Sequence, residues 1–257
     1  MSLSEKPATS IATSTAEDVF IRDKSLCRDL IGKVTFTEMT YFQVLGRMPS
    51  SAQAAVLDAS LVALMEHGLT PSVLASRLVH SSAPEAMQAA VAAGILGVGS
   101  VFVGTVEGCA ALLARMTEAP NDLEGEARRI ASEHRASRRA IPGFGHPLHK
   151  PDDPRSACIL RVAEASGVSG VHIAALQVLA RAVGDAYGKR IAINVTGAIA
   201  AALGDCGVPA EIMRGFAILA RCAGLIGHLH EEQHRPAMRA IWEAAERAVP
   251  YDGKAGR

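Results

Sequence analysis

The sequence predicts an all-α protein, and three observations predict it. Apolar residues make up 49% of the 257 residues, yet aromatics only 4%, the excess being largely alanine, the strongest helix former. Apolar stripes at helical spacing follow one another, separated by short turns. Strand-like alternation is missing from the pattern.

The elements follow in order. Met1 to Asp18 is polar and rich in Ser and Thr, with no apolar signal segment, and residues 1–18 are expected to form a mobile tail. Phe20 to Pro49 reads as a short leading segment and a helix, with Thr35 or Thr37 as cap and Phe36, Met39, Phe42 and Val44 on a partly apolar face. Ser50 with Gln53 is a capping-box pattern; it opens a helix striped by Leu57, Leu61 and Leu64, which Gly68 stops. Thr70-Pro71 starts another helix, and Ser82 with Glu85 a third. Helices are also expected over Ala157–Ala165, Val171–Tyr187, Ala200–Leu203 and Ile241–Ala248.

Composition excludes several function classes. Lys+Arg and Asp+Glu both total 26, so no bulk charge favours nucleic acid or an acidic membrane. No uninterrupted apolar run reaches the ~20 residues that span a bilayer. Five cysteines, Cys27, Cys109, Cys158, Cys206 and Cys222, lack CxxC spacing and fit a reducing compartment, so a cytoplasmic protein is expected. The glycine-rich run Gly94–Gly104 invites a phosphate-loop reading, but it has neither GxGxxG nor Gly-Lys-Ser/Thr and no strand before it. Those glycines fit close backbone packing or approach to a ligand better.

Chemistry concentrates in Ile141–Arg155, IPGFGHPLHKPDDPR. Proline and glycine at this density forbid a regular helix and describe a shaped loop holding His146, His149 and Arg155. An ordinary surface connection is the plainer account until resemblance is considered. Gly143-Phe144-Gly145-His146, then Lys150, then Asp153-Pro154-Arg155, resembles the signature of the citrate synthase superfamily, with Leu148 where Ile or Val is usual. A second match is Arg221, His228, Glu232 and Gln233 in the segment Arg221–Gln233.

The resemblance, over about Phe20 to Trp242, implies the rest. The fold would be citrate-synthase-like, with a large helical domain from 19–117 and 209–257 and a small one from 118–208. His146 would bond the substrate hydroxyl or ketone oxygen and carry its proton; Arg155 and Arg221 would grip carboxylates, joined by Arg235 reaching into a neighbouring subunit. Gly143, Phe144 and Gly145 would meet coenzyme A, and Arg138 and Arg139, in a charged helical stretch, its phosphates. The partners implied are an acyl-CoA and a 2-oxo acid, with a homodimer or higher oligomer, no nucleic acid and no membrane; coenzyme A enters as a thioester substrate and no metal is required.

Two positions depart from the family. Phe102 stands where a catalytic histidine sits, as in the citrate-cleaving module of ATP-citrate lyase, and Thr196 stands where the family has its catalytic aspartate. Phe102 favours a citryl-CoA lyase-like relative, cleaving a 3-hydroxy-3-carboxyacyl-CoA reversibly to acetyl-CoA and a 2-oxo acid such as oxaloacetate. Thr196 removes a general base, leaving Glu107, Asp205 and His149 as substitutes near in sequence. It also motivates an alternative, an impaired relative that binds acyl-CoA or dicarboxylate as a partner subunit. A minor alternative comes from His230-Glu231-Glu232-Gln233-His234, which spells HExxH, the zinc-hydrolase spacing, without an evident third ligand.

Overall fold

The computed structural model describes residues 7–253. Helices dominate, at 64% against 4% strand. Eleven α-helices follow a small antiparallel sheet among the described residues: β1 (Ala12–Ser14), β2 (Val19–Ile21) and β3 (Lys24–Ser25), in the order β1-β2-β3. The sheet corrects the strand-free expectation. Ala12 pairs with Ile21 and Ser14 with Val19, so part of the segment assigned to a mobile tail is hydrogen-bonded; residues 1–6 lie outside the described range.

Capping chemistry sets several helix starts. Thr35 caps α1 (Phe36–Leu45) in a capping box with Glu38, while Thr37 instead donates to Asp58 at 2.7 Å. Ser50 and Gln53 form the expected box at α2 (Ser51–Met65). Pro71 opens α3 (Pro71–Ser82). The third predicted start fails: Ser82 closes α3, its hydroxyl donating to Leu78 O at 3.3 Å, and α4 (Met87–Leu96) begins only after a turn at 83–86. Serine serves either end of a helix, so the spacing to Glu85 did not discriminate.

The remaining helices are α5 (Thr105–Thr117), α6 (Leu123–Ala136), α7 (Pro154–Ala165), α8 (Val171–Tyr187), α9 (Val195–Asp205), α10 (Met213–His234) and α11 (Met238–Ala248). The axis of the fold is α9, buried at every position from Val195 to Leu203 and packed by α2, α5, α7 and α8. Alanine and glycine make it thin enough for neighbours on all sides. Both its ends are satisfied. Asn194 Oδ1 accepts from Thr196 N and Gly197 N, and Cys206 O, past the C-terminus, accepts from Tyr41 Oη and Gln53 Nε2, each at 2.8 Å.

One apolar core runs from Tyr41 to Ala220 and crosses both proposed domain boundaries. The long helix α10, with its lead-in from Ala210, is long and apolar enough by length and composition to cross a membrane, although charged residues interrupt its apolar run. Its Met213, Phe216, Ala217, Ala220, Leu225 and Leu229 are buried in the protein core, and it carries buried Arg221 and Glu232.

Candidate active site

The Pro/Gly loop is held against the start of α9 by two backbone bonds and one from the Asn194 side chain. Asn194 N donates to Gly143 O at 2.9 Å, Gly145 N to Ala192 O at 2.8 Å, and Asn194 Nδ2 to Gly145 O at 2.9 Å. Glycine is required at 143: its φ is +86°, and a Cβ there would lie 2.5 Å from Cys109 Sγ and 3.0 Å from Gly197 Cα. Buried Asp153 completes the attachment. Its Oδ2 accepts from Val195 N and from Arg155 Nη2, both at 2.9 Å, and its Oδ1 from Arg155 Nε at 3.0 Å. Burial raises the Asp153 carboxyl, but Arg155 and the backbone N–H groups outweigh it and hold the group below its ordinary value.

A cavity of about 490 Å³ opens over this loop, lined by His67, Phe102, His146, Arg155, Thr196 and Arg221 among others. No Asp or Glu is among its lining residues. The loop, the starts of α7 and α9, and α10 thus bring His146, Arg155, Thr196 and Arg221 together, and Phe102, 52% exposed, forms part of the wall.

Arg221 decides the electrostatics. It is 4% exposed, and its Nε and Nη1 find no hydrogen-bond partner among the described residues. Burial pushes its pKa down and nearby Arg155 adds to this, against the attraction of Glu66. A buried guanidinium with free donors costs several kcal/mol unless an anion meets it.

Three histidines face the arginines. His67 Nε2 lies 3.3 Å from His149 Nε2, and the His146 and His149 rings stack at 4.4 Å. His146 Nδ1 accepts from Leu148 N at 3.1 Å and His149 N at 3.0 Å, so the ring proton sits on Nε2. Arg155 Nη2 stands 3.4 Å from that Nε2. Burial, then His149 and Arg155, lower the His146 pKa. The cluster also has the spacing of a metal site, its ligand atoms all within 4.8 Å of one another. A metal on His146 Nε2 would need the proton on Nδ1, where two backbone donors point, and two arginines repel the cation. An anion or polarised oxygen fits better.

Thr196 cannot act as a base. Its hydroxyl donates to Asn194 Oδ1 at 2.7 Å and stands 2.9 Å from Thr105 Oγ1. Two of the three substitutes are engaged elsewhere. Glu107 pairs with Arg214 at 2.6 Å, and Asp205 accepts from Gly170 N, His172 N and Ile173 N at the start of α8. His149 packs against His67 and His146 but is not among the residues lining the cavity.

Arg138 and Arg139 line a second hollow of about 420 Å³ with Arg135 and Tyr187; it shares Ala140, Ile141 and Phe144 with the first. Arg235 is different: it is exposed just past the end of α10 and does not line its own chain's cavity. The HExxH segment does not assemble a zinc site. His230 and His234 lie on the exposed side of α10, while Glu231 and Glu232 both bind buried Arg77.

That ion cluster, and His67 itself, were missed. Arg77 Nη2 bonds His228 Nδ1 at 2.8 Å, His228 Nε2 lies 2.9 Å from Glu66 Oε2, and Glu66 Oε1 accepts from His67 N at 2.7 Å. The signal was present: Arg77 and His80 share the α3 stripe with Val73 and Ser76, a charged residue at a core position.

Comparison with known proteins agrees with the fold. The family model described as citrate synthase, C-terminal domain, matches residues 13–242. A citryl-CoA lyase from Hydrogenobacter thermophilus superposes with a TM-score of 0.87 at 29% identity, covering 98% of this chain and 97% of that one. An ATP citrate lyase from Methanothrix soehngenii, bound to citrate and coenzyme A, gives 0.79 at 20% identity, covering 98% of this chain and 43% of that one, a likeness of fold alone. By sequence, putative citrate synthase 2 of Mycobacterium tuberculosis is 27% identical over 191 residues, 72% of this chain and 49% of the relative. A 2-methylcitrate synthase from Shewanella oneidensis is 24% identical over 213 residues, 80% of this chain and 55% of the relative. The chain spans about half the length of these curated relatives.

Proposed function

The chain belongs to the citrate synthase family, and from that premise we propose that its cleft cleaves the C–C bond of a 3-hydroxy-3-carboxyacyl-CoA. Citryl-CoA or an analogue would give acetyl-CoA and a 2-oxo acid. The observation that carries this reading is Arg221, its Nε and Nη1 without partners among the described residues, beside Arg155 in a cavity lined by no described carboxylate. Citryl-CoA presents two free carboxylates and one tertiary oxygen. Two guanidiniums suit the carboxylates, and the His146 Nε2–H suits the oxygen as it becomes a carbonyl.

The adjoining hollow suits the rest of the thioester. Arg138 and Arg139 offer fork-shaped donors for phosphates, and Phe144 with Ala140 and Ile141 forms the wall between the two spaces, Gly143 and Gly145 lying on the side of the first. A second copy of the chain is the partner we propose. Helices α3, α4 and α10 pack together, and Leu78, Met87, Leu96 (87% exposed) and Ile226 on them are apolar and exposed. The molar mass in solution is expected to be that of two chains; a monomer at micromolar concentration would remove this proposal.

Thr196 favours a second reading, a binder of acyl-CoA or dicarboxylate with little turnover. Thr196→Asp separates the two. If the site is a lyase with altered acid–base groups, restoring the carboxylate is expected to change citryl-CoA cleavage by tenfold or more, general acid–base assistance being worth ~10²–10⁴. Binding of the thioester without cleavage in either variant would select the binder.

A further inference from the structure

We infer that Arg77 and His228 are positioning residues for the cleft: acting through Glu66, they hold the turn after α2 so that His67 stands at a fixed place beside Arg221 in the cavity wall. The inference rests on the cleavage reading above and deepens it. It gives a role to His228 and Glu232, which the sequence singles out and the proposed chemistry leaves unused.

One face of α10 carries the device. Arg221, Gly224, His228 and Glu232 recur along it at helical spacing. Arg221 opens into the cavity. At Gly224 a Cβ would run into Met65 O and lie 3.2 Å from Glu66 Oε2, so glycine lets the end of α2 rest on α10 here. One turn further His228 reaches Glu66, and beyond it Glu232 reaches Arg77.

The polarity of the chain is set by its first member. A guanidinium only donates, so Arg77 Nη2, 2.8 Å from His228 Nδ1, makes that nitrogen an acceptor and puts the ring proton on Nε2. His228 is thereby neutral, and its Nε2–H can only be given away. Glu66 Oε2 stands 2.9 Å from it; the N–H is not squarely aimed, and no better partner meets it among the described residues. The other oxygen of Glu66 holds the turn itself, accepting from His67 N at 2.7 Å and Gly68 N at 2.6 Å. Burial raises the Glu66 carboxyl, but His228 and these two N–H groups outweigh it and hold it below its ordinary value.

The far end is anchored in the core. Arg77 is 2% exposed and binds Glu231 and Glu232, and Glu232 Oε1 accepts from Ala237 N and Met238 N, each at 2.9 Å, at the start of α11. Losing any one of these partners would strand a buried charge, which keeps the cluster rigid. The turn it holds is part of the site. His67 lines the cavity, where burial, then Arg155, His149 and Arg221, lower its pKa. A displacement of about 1 Å in such a wall can cost up to ~10²-fold in activity.

His228→Leu is the test, with His228→Gln as its conservative partner, since an amide can accept from Arg77 and donate to Glu66 as the imidazole does. In the ligand-free protein, amide exchange at His67 and Gly68 is expected to quicken about tenfold in the leucine variant, out of proportion to the core of α9. Glutamine is expected to restore it. Glu66→Ala, which leaves the buried Arg77–His228 contact in place, is expected to free the same two amides. With citryl-CoA, His228→Leu is expected to raise KM about tenfold with kcat within about threefold, because the carboxylates are gripped alike in the ground and transition states. Glutamine is expected to recover most of that loss. Unchanged exchange at residues 67 and 68 in folded Glu66→Ala or His228→Leu overturns the positioning, as does a leucine variant that melts earlier with KM unmoved. A wild type that does not cleave citryl-CoA contradicts the proposed function instead, and the exchange measurements then decide the positioning.

Discussion

Arg221→Met is expected to make the ligand-free protein more stable and to weaken its binding of oxaloacetate by about 10²-fold or more. The two effects share one cause. Arg221 is buried with Nε and Nη1 unpaired among the described residues, so the folded state carries the desolvation cost of a charge without the compensating bonds. Replacing it by an apolar side chain of similar length removes that cost, a gain of about 1–3 kcal/mol, or roughly 2–4 °C per kcal/mol in Tm for a chain of this size. The same change removes the donors for a substrate carboxylate, and losing one partner of a buried charge pair costs about 2–5 kcal/mol of binding. Thermal melting and calorimetric titration with oxaloacetate check both halves. A lowered Tm with unaltered affinity would mean that Arg221 is a structural residue whose partners lie within the fold.

His146→Ala is expected to abolish most of the cleavage of citryl-CoA, by about 10³-fold in kcat, with little change in KM. The ring contributes through its Nε2–H, fixed in direction because Nδ1 is anchored by the backbone of Leu148 and His149. A preorganised donor aimed at developing charge is worth ~10²–10³ in rate, while ground-state binding falls to the arginines. His146→Gln, which keeps an N–H donor at comparable reach, is expected to recover about tenfold over the alanine variant. That partial rescue marks a donor; a Gln variant no better than Ala would indicate that the imidazole must itself gain and lose the proton.

The loop was the most legible part of the site. Its Pro/Gly density announces an irregular shape, and only such a shape lets Gly143 approach Cys109 and Gly197 as closely as it does. Helix starts at Thr35, Ser50 and Pro71 were legible because capping is local chemistry carried by adjacent residues. The start of α4 was not, because its first turn is set by packing and no side-chain cap marks it. The small sheet escaped as well: β1 is exposed along its length and shows no buried face to give alternation.

His67 escaped for a different reason. Beside Gly68 at the end of α2 it reads as part of a helix stop, and only the fold brings it across to His149, 82 residues later. The sequence offered Asp205 and Glu107 as candidate bases but could not place them in space. Folding engages both elsewhere, Asp205 with burial raising its carboxyl but His172 and three N–H groups pulling it lower still. Sequence distance carries little information about which carboxylate reaches a cleft built from six helices and their connecting loops.

The most direct test is the fate of citryl-CoA with the purified protein, followed by mass, alongside methyl exchange of acetyl-CoA with oxaloacetate in deuterated water. The prediction is acetyl-CoA and oxaloacetate released one to one, with methyl exchange far slower than cleavage because no carboxylate lines the cavity. Citryl-CoA recovered intact, while CoA esters still bind, would contradict the account and leave a binding protein built on this fold.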